Sequence, residues 1–336
     1  MSRSMNWAAR YRPPDPIVWQ GRDDMPTDSC FYQHMRLLDL LTQQPEKTAD
    51  VTFAIIGFVC DEGIRRDLGR TGAAEGPAAI RQRLSKLPIQ KPNIHCYDVG
   101  NIVCTDYDLE ASQHALAEVI AILLEKKIRP IVIGGGHEVA WGHYQGIAKV
   151  TPANKRLGII SFDAHFDLHP LHPSNRGSAC TAFHQIAQAH RHDKRHFDYN
   201  CIGIQHTGNI RESFDIARQF NVKHILADEL HQGLQEKCFD FIDRIIDEND
   251  LIYMSMSLDV ISSAFAPGVG IIQPLGLTPW HIIPLIRQIA SSAKVISYDI
   301  AEHIPRYDID HRTAKLAAIL IYEIIHHHHE PRNHTK

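Results

Sequence analysis

The chain has 336 residues, 44% of them apolar and 22% charged, enough for a sizeable core in one large α/β domain or two ordinary ones. A formal net charge of −4 gives no basic face for nucleic acid, and no apolar run reaches the ~20 residues of a membrane span. Met1 to Arg12 is polar and mixed, without the apolar centre of a secretion signal, and seven scattered cysteines with no CxxC pair argue against a disulfide framework or a thiolate zinc site, so a cytoplasmic setting is expected.

Residues 1–45, with Pro13, Pro14, Pro16 and Pro26, read as an irregular N-terminal arm, and residues 46–336 as a single α/β domain. Apolar, β-branched runs follow at Val51–Phe58, Pro130–Ile133, Leu157–Phe162, Asn200–Ile204, Val222–Leu226, Leu251–Leu258 and Lys294–Tyr298. Helical spacing lies between them in Leu109–Glu125, Glu138–Ile147, Phe239–Ile246, Pro279–Ile289 and Thr313–Ile325. Strands that are apolar throughout are buried on both faces, which predicts a parallel sheet covered by helices. The run His326–His329 looks like a tag but is followed by Glu330–Lys336, and cations at a helix end suit its dipole.

In such sheets chemistry collects past the carboxyl ends of the strands, and four segments there stand out. After Leu157–Ile160 come Asp163, His165 and Asp167, which share one face if the backbone stays extended. Two carboxylates and an imidazole suit manganese, zinc or iron; the plainer alternative is a solvated loop. Gly134-Gly135-Gly136 carries His137 over the end of Pro130–Ile133, the glycines allowing close backbone approach and positive φ. A phosphate loop is the rival reading, and it lacks both the GxxxxGK[ST] lysine and the GxGxxG spacing. Asp259 ends Leu251–Leu258 and Glu302 follows Lys294–Tyr298, although either acid could simply cap a helix.

Taken together these segments resemble the ureohydrolase family of arginase and agmatinase, most closely its formimidoylglutamase branch. The resemblance runs through Asp61-Glu62-Gly63, Gly69-Arg70-Thr71-Gly72-Ala73, Gly134 to His143, Phe162 to Asp167, Cys201 to Gln205, Ala266-Pro267-Gly268-Val269 and Thr313 to Ala318. It implies a three-layer α/β/α fold around a parallel sheet of about eight strands. It also implies two manganese ions and hydrolysis of a linear amidine C–N bond, with N-formimidoyl-glutamate as substrate in histidine breakdown. His137, Asp163 and Asp167 would hold one ion, with Asp163 shared, and His165 and Asp259 the other. Glu302 would face the substrate cation; Arg65, Arg66 or Arg70 could meet its carboxylates, and His184 and His143 are candidates for moving a proton. The implied partner is a small amidine, with no nucleic acid and no membrane, and a homo-oligomer is implied by resemblance alone.

Three positions depart from the family pattern. Ser257 stands where the family has a bridging aspartate, Cys180 where it has glycine, and Asp67 where asparagine is commoner. A neutral hydroxyl cannot offer one charged oxygen to each of two ions, so one or weak occupancy is expected. Cys180 predicts a strained backbone or a reshaped mouth. A metal-poor inactive relative, or a single-metal amidine, guanidine or amide hydrolase, therefore stands beside the main reading; Asp163, His165 and Asp259 resemble the zinc-holding set of deacetylases of similar fold.

Overall fold

Strands that are apolar on both faces need cover on both, and the chain supplies it in three layers. The computed structural model describes residues 6–22, 24–47, 51–91, 94–171 and 174–329; the predicted tail Glu330–Lys336 lies outside them. Ten strands form one sheet: β1 Tyr11–Arg12, β2 Met35–Leu37, β3 Val51–Val59, β4 Ile94–Val103, β5 Arg129–Ile133, β6 Leu157–Phe162, β7 Asp198–Ile204, β8 Lys223–Leu226, β9 Leu251–Met256 and β10 Val295–Ile300. Their order is β1-β4-β3-β5-β10-β9-β6-β7-β8, with β2 also on β4. The β1–β4 pair is antiparallel and the others are parallel.

Successive residues of β3 divide between two cores. Phe53 and Ile55 join one, with Leu285, Ile289, Leu320 and Ile324 from helices Pro279–Ser291 and Arg312–His327. Ala54, Ile56 and Phe58 join the other, with Leu116, Ile120 and Ile147 from helices Leu109–Glu125 and Val139–Val150. The predicted parallel three-layer fold is what the chain adopts, with two strands more than the expected eight or so.

Both extra edge strands come from the segment read as an irregular arm. β1 and β2 pair with β4, and Trp7, Tyr11 and Leu40 are buried in the second core. Trp19 reaches the first core and donates its Nε1–H to Asp98 Oδ2 at 2.7 Å. Asp98 also accepts from Arg81 Nη2 at 2.9 Å, an ion pair with both partners almost fully buried. The histidine run also differs from its reading as cations at a helix end. His326 and His328 are buried, the backbone N–H of Gln90 donates to His326 Nε2 at 3.1 Å, and Tyr298 Oη lies 2.7 Å from His328 Nδ1. Burial lowers the pKa of both imidazoles, that of His328 to about 2.

The topology decides where a pocket forms. After β5 the chain skips two places and continues with β6-β7-β8, and β9 and β10 later fill the gap. Loops leaving β5 and β6 diverge at this switch point, and a crevice opens at the carboxyl ends of the central strands β5-β10-β9-β6.

Candidate metal centre

Each central strand ends in a residue that the sequence singles out. His137 follows β5, Asp163 to Asp167 follow β6, Ser257 and Asp259 follow β9, and Glu302 follows β10. All of these but the buried Asp163 and the residues Ala164 and Phe166 line a cavity of about 690 Å³. The glycines before His137 serve close approach rather than positive φ. A Cβ on Gly135 would sit 1.5 Å from the Cys60 carbonyl oxygen, and the Gly136 N–H donates to that oxygen at 3.1 Å. None of the three has a left-handed backbone.

Two donor triads share Asp163: His137 with Asp163 and Asp167, and His165 with Asp163 and Asp259. In the first, His137 Nδ1 lies 2.9 Å from both Asp163 Oδ2 and Asp167 Oδ2. Only the Asp167 contact has hydrogen-bond geometry, so Asp163 Oδ2 is a buried oxygen without a hydrogen-bond partner. In the second, His165 Nδ1 is 3.1 Å from Asp259 Oδ2 and 3.5 Å from Asp163 Oδ1.

A buried relay sets which nitrogen of His137 faces the acids. Asp299 accepts from Ser255 Oγ at 2.6 Å, from the Tyr253 hydroxyl, and from His143 Nδ1 at 2.7 Å. Burial pushes the Asp299 carboxyl up, but these donors, His143 foremost, outweigh it and keep its pKa below the ordinary value. An ionised carboxylate only accepts, so the Ser255 proton goes to Asp299. The Ser255 oxygen is then left to accept from His137 Nε2–H at 2.9 Å. His137 Nδ1 is therefore the nitrogen that faces the acids: in the neutral imidazole it is bare and three acceptor atoms meet, and in the protonated one it donates to Asp167. A cation resolves that conflict, and this donor set suits a divalent one.

Without a metal, protons substitute for it. Burial opposes charge on His137 and His165, but Asp163 with Asp167, and Asp259 with Asp163, raise both imidazoles well above their usual value. Asp163, raised by burial, is held low by His137 and His165, whereas burial and the charge of Asp163 push Asp167 up to about 6. Burial, then Asp259 and Glu138, push the Glu302 carboxyl well above the ordinary range. Glu302 Oε1 accepts the His137 backbone N–H at 2.7 Å and its own N–H donates to Gly135 O at 2.8 Å, locking the ends of β5 and β10 together.

Arg70 reaches the cavity wall, its guanidinium 5.0 Å from the centroid of the Tyr307 ring. The two histidines considered for proton transfer do not reach it. His143 is fully buried, with one nitrogen on Asp299 and the other on Ser297, so it has no free nitrogen to exchange a proton with the cavity. His184 turns to Leu168 O at 3.2 Å and packs on Phe220. His169 lines the cavity instead, and sequence reasoning missed it, as it missed the relay. Asp299 leaves a trace in sequence, an acid closing a buried apolar run; His169 leaves none. At the mouth the Cys180 N–H donates to Asp67 Oδ2 at 3.1 Å, so two departures from the family pattern contact each other. Cys180 has no left-handed backbone, and the strain expected of it is absent. Ser257 Oγ donates to Asp259 Oδ1 at 2.6 Å.

Comparison with known proteins places this geometry. The model of the Arginase family matches residues 51–327. Formimidoylglutamase of Legionella pneumophila (strain Lens) is 41% identical over 317 residues, covering 94% of this chain and 98% of that protein. Formimidoylglutamase of Geobacillus thermodenitrificans is 41% identical over 321 residues, covering 94% and 97%. Among solved structures, formimidoylglutamase of Bacillus subtilis superposes with a TM-score of 0.79 at 21% identity, covering 91% of this chain and 94% of that one. Formiminoglutamase of Trypanosoma cruzi, solved with Mn2+, gives a TM-score of 0.74 at 23% identity and covers 85% and 95%.

Proposed function

Because the chain belongs to the arginase family, we propose that it is a metal-dependent hydrolase that converts N-formimidoyl-L-glutamate and water to L-glutamate and formamide. The observation that carries the chemistry is the meeting of His137 Nδ1, Asp163 Oδ2 and Asp167 Oδ2 in one buried cluster, with Asp163 Oδ2 left without a hydrogen-bond partner. Relatives named formimidoylglutamase, matched over nearly their whole length, supply the substrate.

Manganese is the ion we assign to the triads, since the donors are carboxylates and imidazoles and a related fold has been solved with it. Such an ion, when bound, supplies a hydroxide nucleophile near neutral pH and a positive field for the developing negative charge. The rest falls to the chain's own side chains. Glu302 accepts hydrogen bonds from the amidinium nitrogens, and a cation against it returns the carboxyl to its charged form. Arg70, at the wall, takes a substrate carboxylate. The C–N bond to glutamate breaks as its nitrogen gains a proton, and of the described imidazoles lining the cavity His169 alone lies outside both triads, so we assign it that proton. This reading places the protein in histidine breakdown, in the cytoplasm and as a homo-oligomer; no described helix is long and apolar enough to cross a membrane.

The test is formamide release from N-formimidoyl-L-glutamate by the purified chain with manganese and with excess chelator, beside urea release from arginine and agmatine. Chelator-sensitive release from the first substrate alone is expected. Faster turnover of either guanidine would overturn the substrate assignment, and turnover indifferent to chelator would overturn the metal.

A further inference from the structure

All seven cysteines of the chain are free, and two of them stand side by side just past the ends of β3 and β4. Val59 and Val103 are register partners in that parallel pair, and the Cys104 N–H donates to Val59 O at 3.1 Å, so Cys60 and Cys104 come next across from each other. Neighbouring strands lie about 4.8 Å apart, inside the range of about 4.4–6.8 Å between Cα atoms that a disulfide spans. Both side chains turn to the same core, where Cys60 is buried and Cys104 is partly open to solvent. Their sulfurs meet there, the Cys60 S–H donating to Cys104.

The two thiols differ in character. The hydrogen bond from Cys60, helped by the Ser112 hydroxyl and the Arg10 guanidinium, brings the Cys104 pKa down to about 7 against burial and the charge of Asp106. The same hydrogen bond, then burial and Glu138, push the Cys60 thiol well up, so the pair keeps one proton and keeps it on Cys60. Cys96, Cys180, Cys201 and Cys238 are all raised by burial. A partly exposed thiolate beside a second thiol is the arrangement of an oxidant-sensitive cysteine and its resolving partner.

We propose that Cys104 and Cys60 form a modification site, in which a hydroperoxide oxidises Cys104 and Cys60 closes a disulfide. With hydrogen peroxide, the Cys104 thiolate attacks one oxygen, the O–O bond breaks and hydroxide leaves, giving a sulfenic acid. The Cys60 sulfur then attacks the Cys104 sulfur. An S–S bond forms as the S–O bond breaks, and the Cys60 proton departs with that oxygen as water. The two sulfurs lose two electrons between them, and the peroxide takes both. The bond closes directly behind the metal centre, since the Cys60 carbonyl accepts the N–H of Gly136, the residue before His137. The proposal depends on neither the metal nor the substrate.

The experiment treats the full-length, reduced chain with hydrogen peroxide, blocks the remaining free thiols with N-ethylmaleimide and maps the peptides by mass spectrometry. A Cys60–Cys104 disulfide, lighter than the reduced pair by two hydrogens and reversed by dithiothreitol, is expected before any other cysteine changes. Cys104 should react roughly tenfold faster near neutral pH than Cys180, the other partly exposed cysteine. Cys60→Ser should halt the reaction at a sulfenic acid on Cys104, trapped by dimedone, and Cys104→Ser should leave Cys60 unoxidised. If circular dichroism shows that Cys60→Ser fails to fold, Cys60→Ala tests the same step. Cys104 reacting no faster than Cys180 would overturn the proposal. So would a disulfide from Cys104 to any other cysteine, or sulfinic acid on Cys104 with Cys60 still a free thiol.

Discussion

Removing one hydroxyl from β9 separates a metal-positioning role from a structural one. In Ser255→Ala, His137 Nε2–H loses its acceptor at 2.9 Å and Asp299 Oδ1 loses a donor at 2.6 Å, both in fully buried surroundings. Leaving a buried donor unsatisfied costs about 1–3 kcal/mol. The imidazole escapes part of that cost by moving its proton to Nδ1, where Asp167 accepts it and a metal can no longer bind. Second-partner losses of this kind lower metal affinity by about 10–100-fold, or roughly 1.4–2.7 kcal/mol. Tyr253→Phe is the control, since Tyr253 donates to Asp299 and not to His137. It should lower stability by about 1–3 kcal/mol in urea melts while leaving the Mn2+ dissociation constant within about twofold. Unchanged affinity in Ser255→Ala, or an equal loss in Tyr253→Phe, would refute the tautomer argument.

Other consequences are open to simpler measurements. Burial holds His328 at a pKa of about 2, against 6.5 for the free side chain, so the folded state binds fewer protons than the unfolded one. Its stabilising contribution is therefore complete above the unfolded value and is lost as pH falls below it. At about pH 5.5 the loss is about 1.4 kcal/mol, and in metal-free protein His328→Gln should show a shallower fall in melting temperature between neutral and that pH. Arg81→Met leaves Asp98 charged and buried without its cation, and urea unfolding should report a loss of about 3–5 kcal/mol; less than about 1 kcal/mol would mean that Trp19 and the Gly100 N–H suffice for Asp98. Glu302→Gln removes the charge expected to meet the amidinium and should lower kcat/KM by about 10–100-fold, the worth of a charge-assisted hydrogen bond.

Seven strands are legible in the sequence, most of them because their side chains are apolar on both faces, so no knowledge of the third dimension is needed to find them; β8, with Lys223 and His224, is the exception. β4 escapes this reading because Asp98 and Asn101 interrupt it, and those residues make sense only once Arg81, on a separate helix, reaches both. β1 and β2 are too short to carry a pattern and exist by virtue of the edge that β4 presents. At the pocket the distinction is similar. His137, Asp163, His165, Asp167, Asp259 and Glu302 can be found because each interrupts or ends an apolar run at a strand's carboxyl end. Ser255 and Tyr253 look like ordinary members of β9, and their role is decided by Asp299 on the neighbouring strand. His143 has the opposite history: its motif suggests chemistry, and its position assigns it to the support of Asp299.

Strain is distributed in the same way. Asp167 and Glu302 both adopt left-handed backbone, with φ of 48° and 73°, a conformation costing about 1–3 kcal/mol at residues other than glycine. Neither follows from local sequence preference, and both put a carboxylate into the cavity. What holds Glu302 there is its pair of bonds to the β5 loop, one from its own N–H to Gly135 O and one to its side chain from the His137 N–H. The Asp167 carbonyl accepts from the Phe183 N–H at 3.2 Å, and Phe183 stacks on Tyr199 beneath the loop at 4.2 Å between centroids. The acids are thus pinned by elements that the sheet already places, so the strained loops need no metal to find their shape. A metal ion bound there would meet donors whose orientation is set in advance, and its binding energy would go into coordination rather than into ordering the loops.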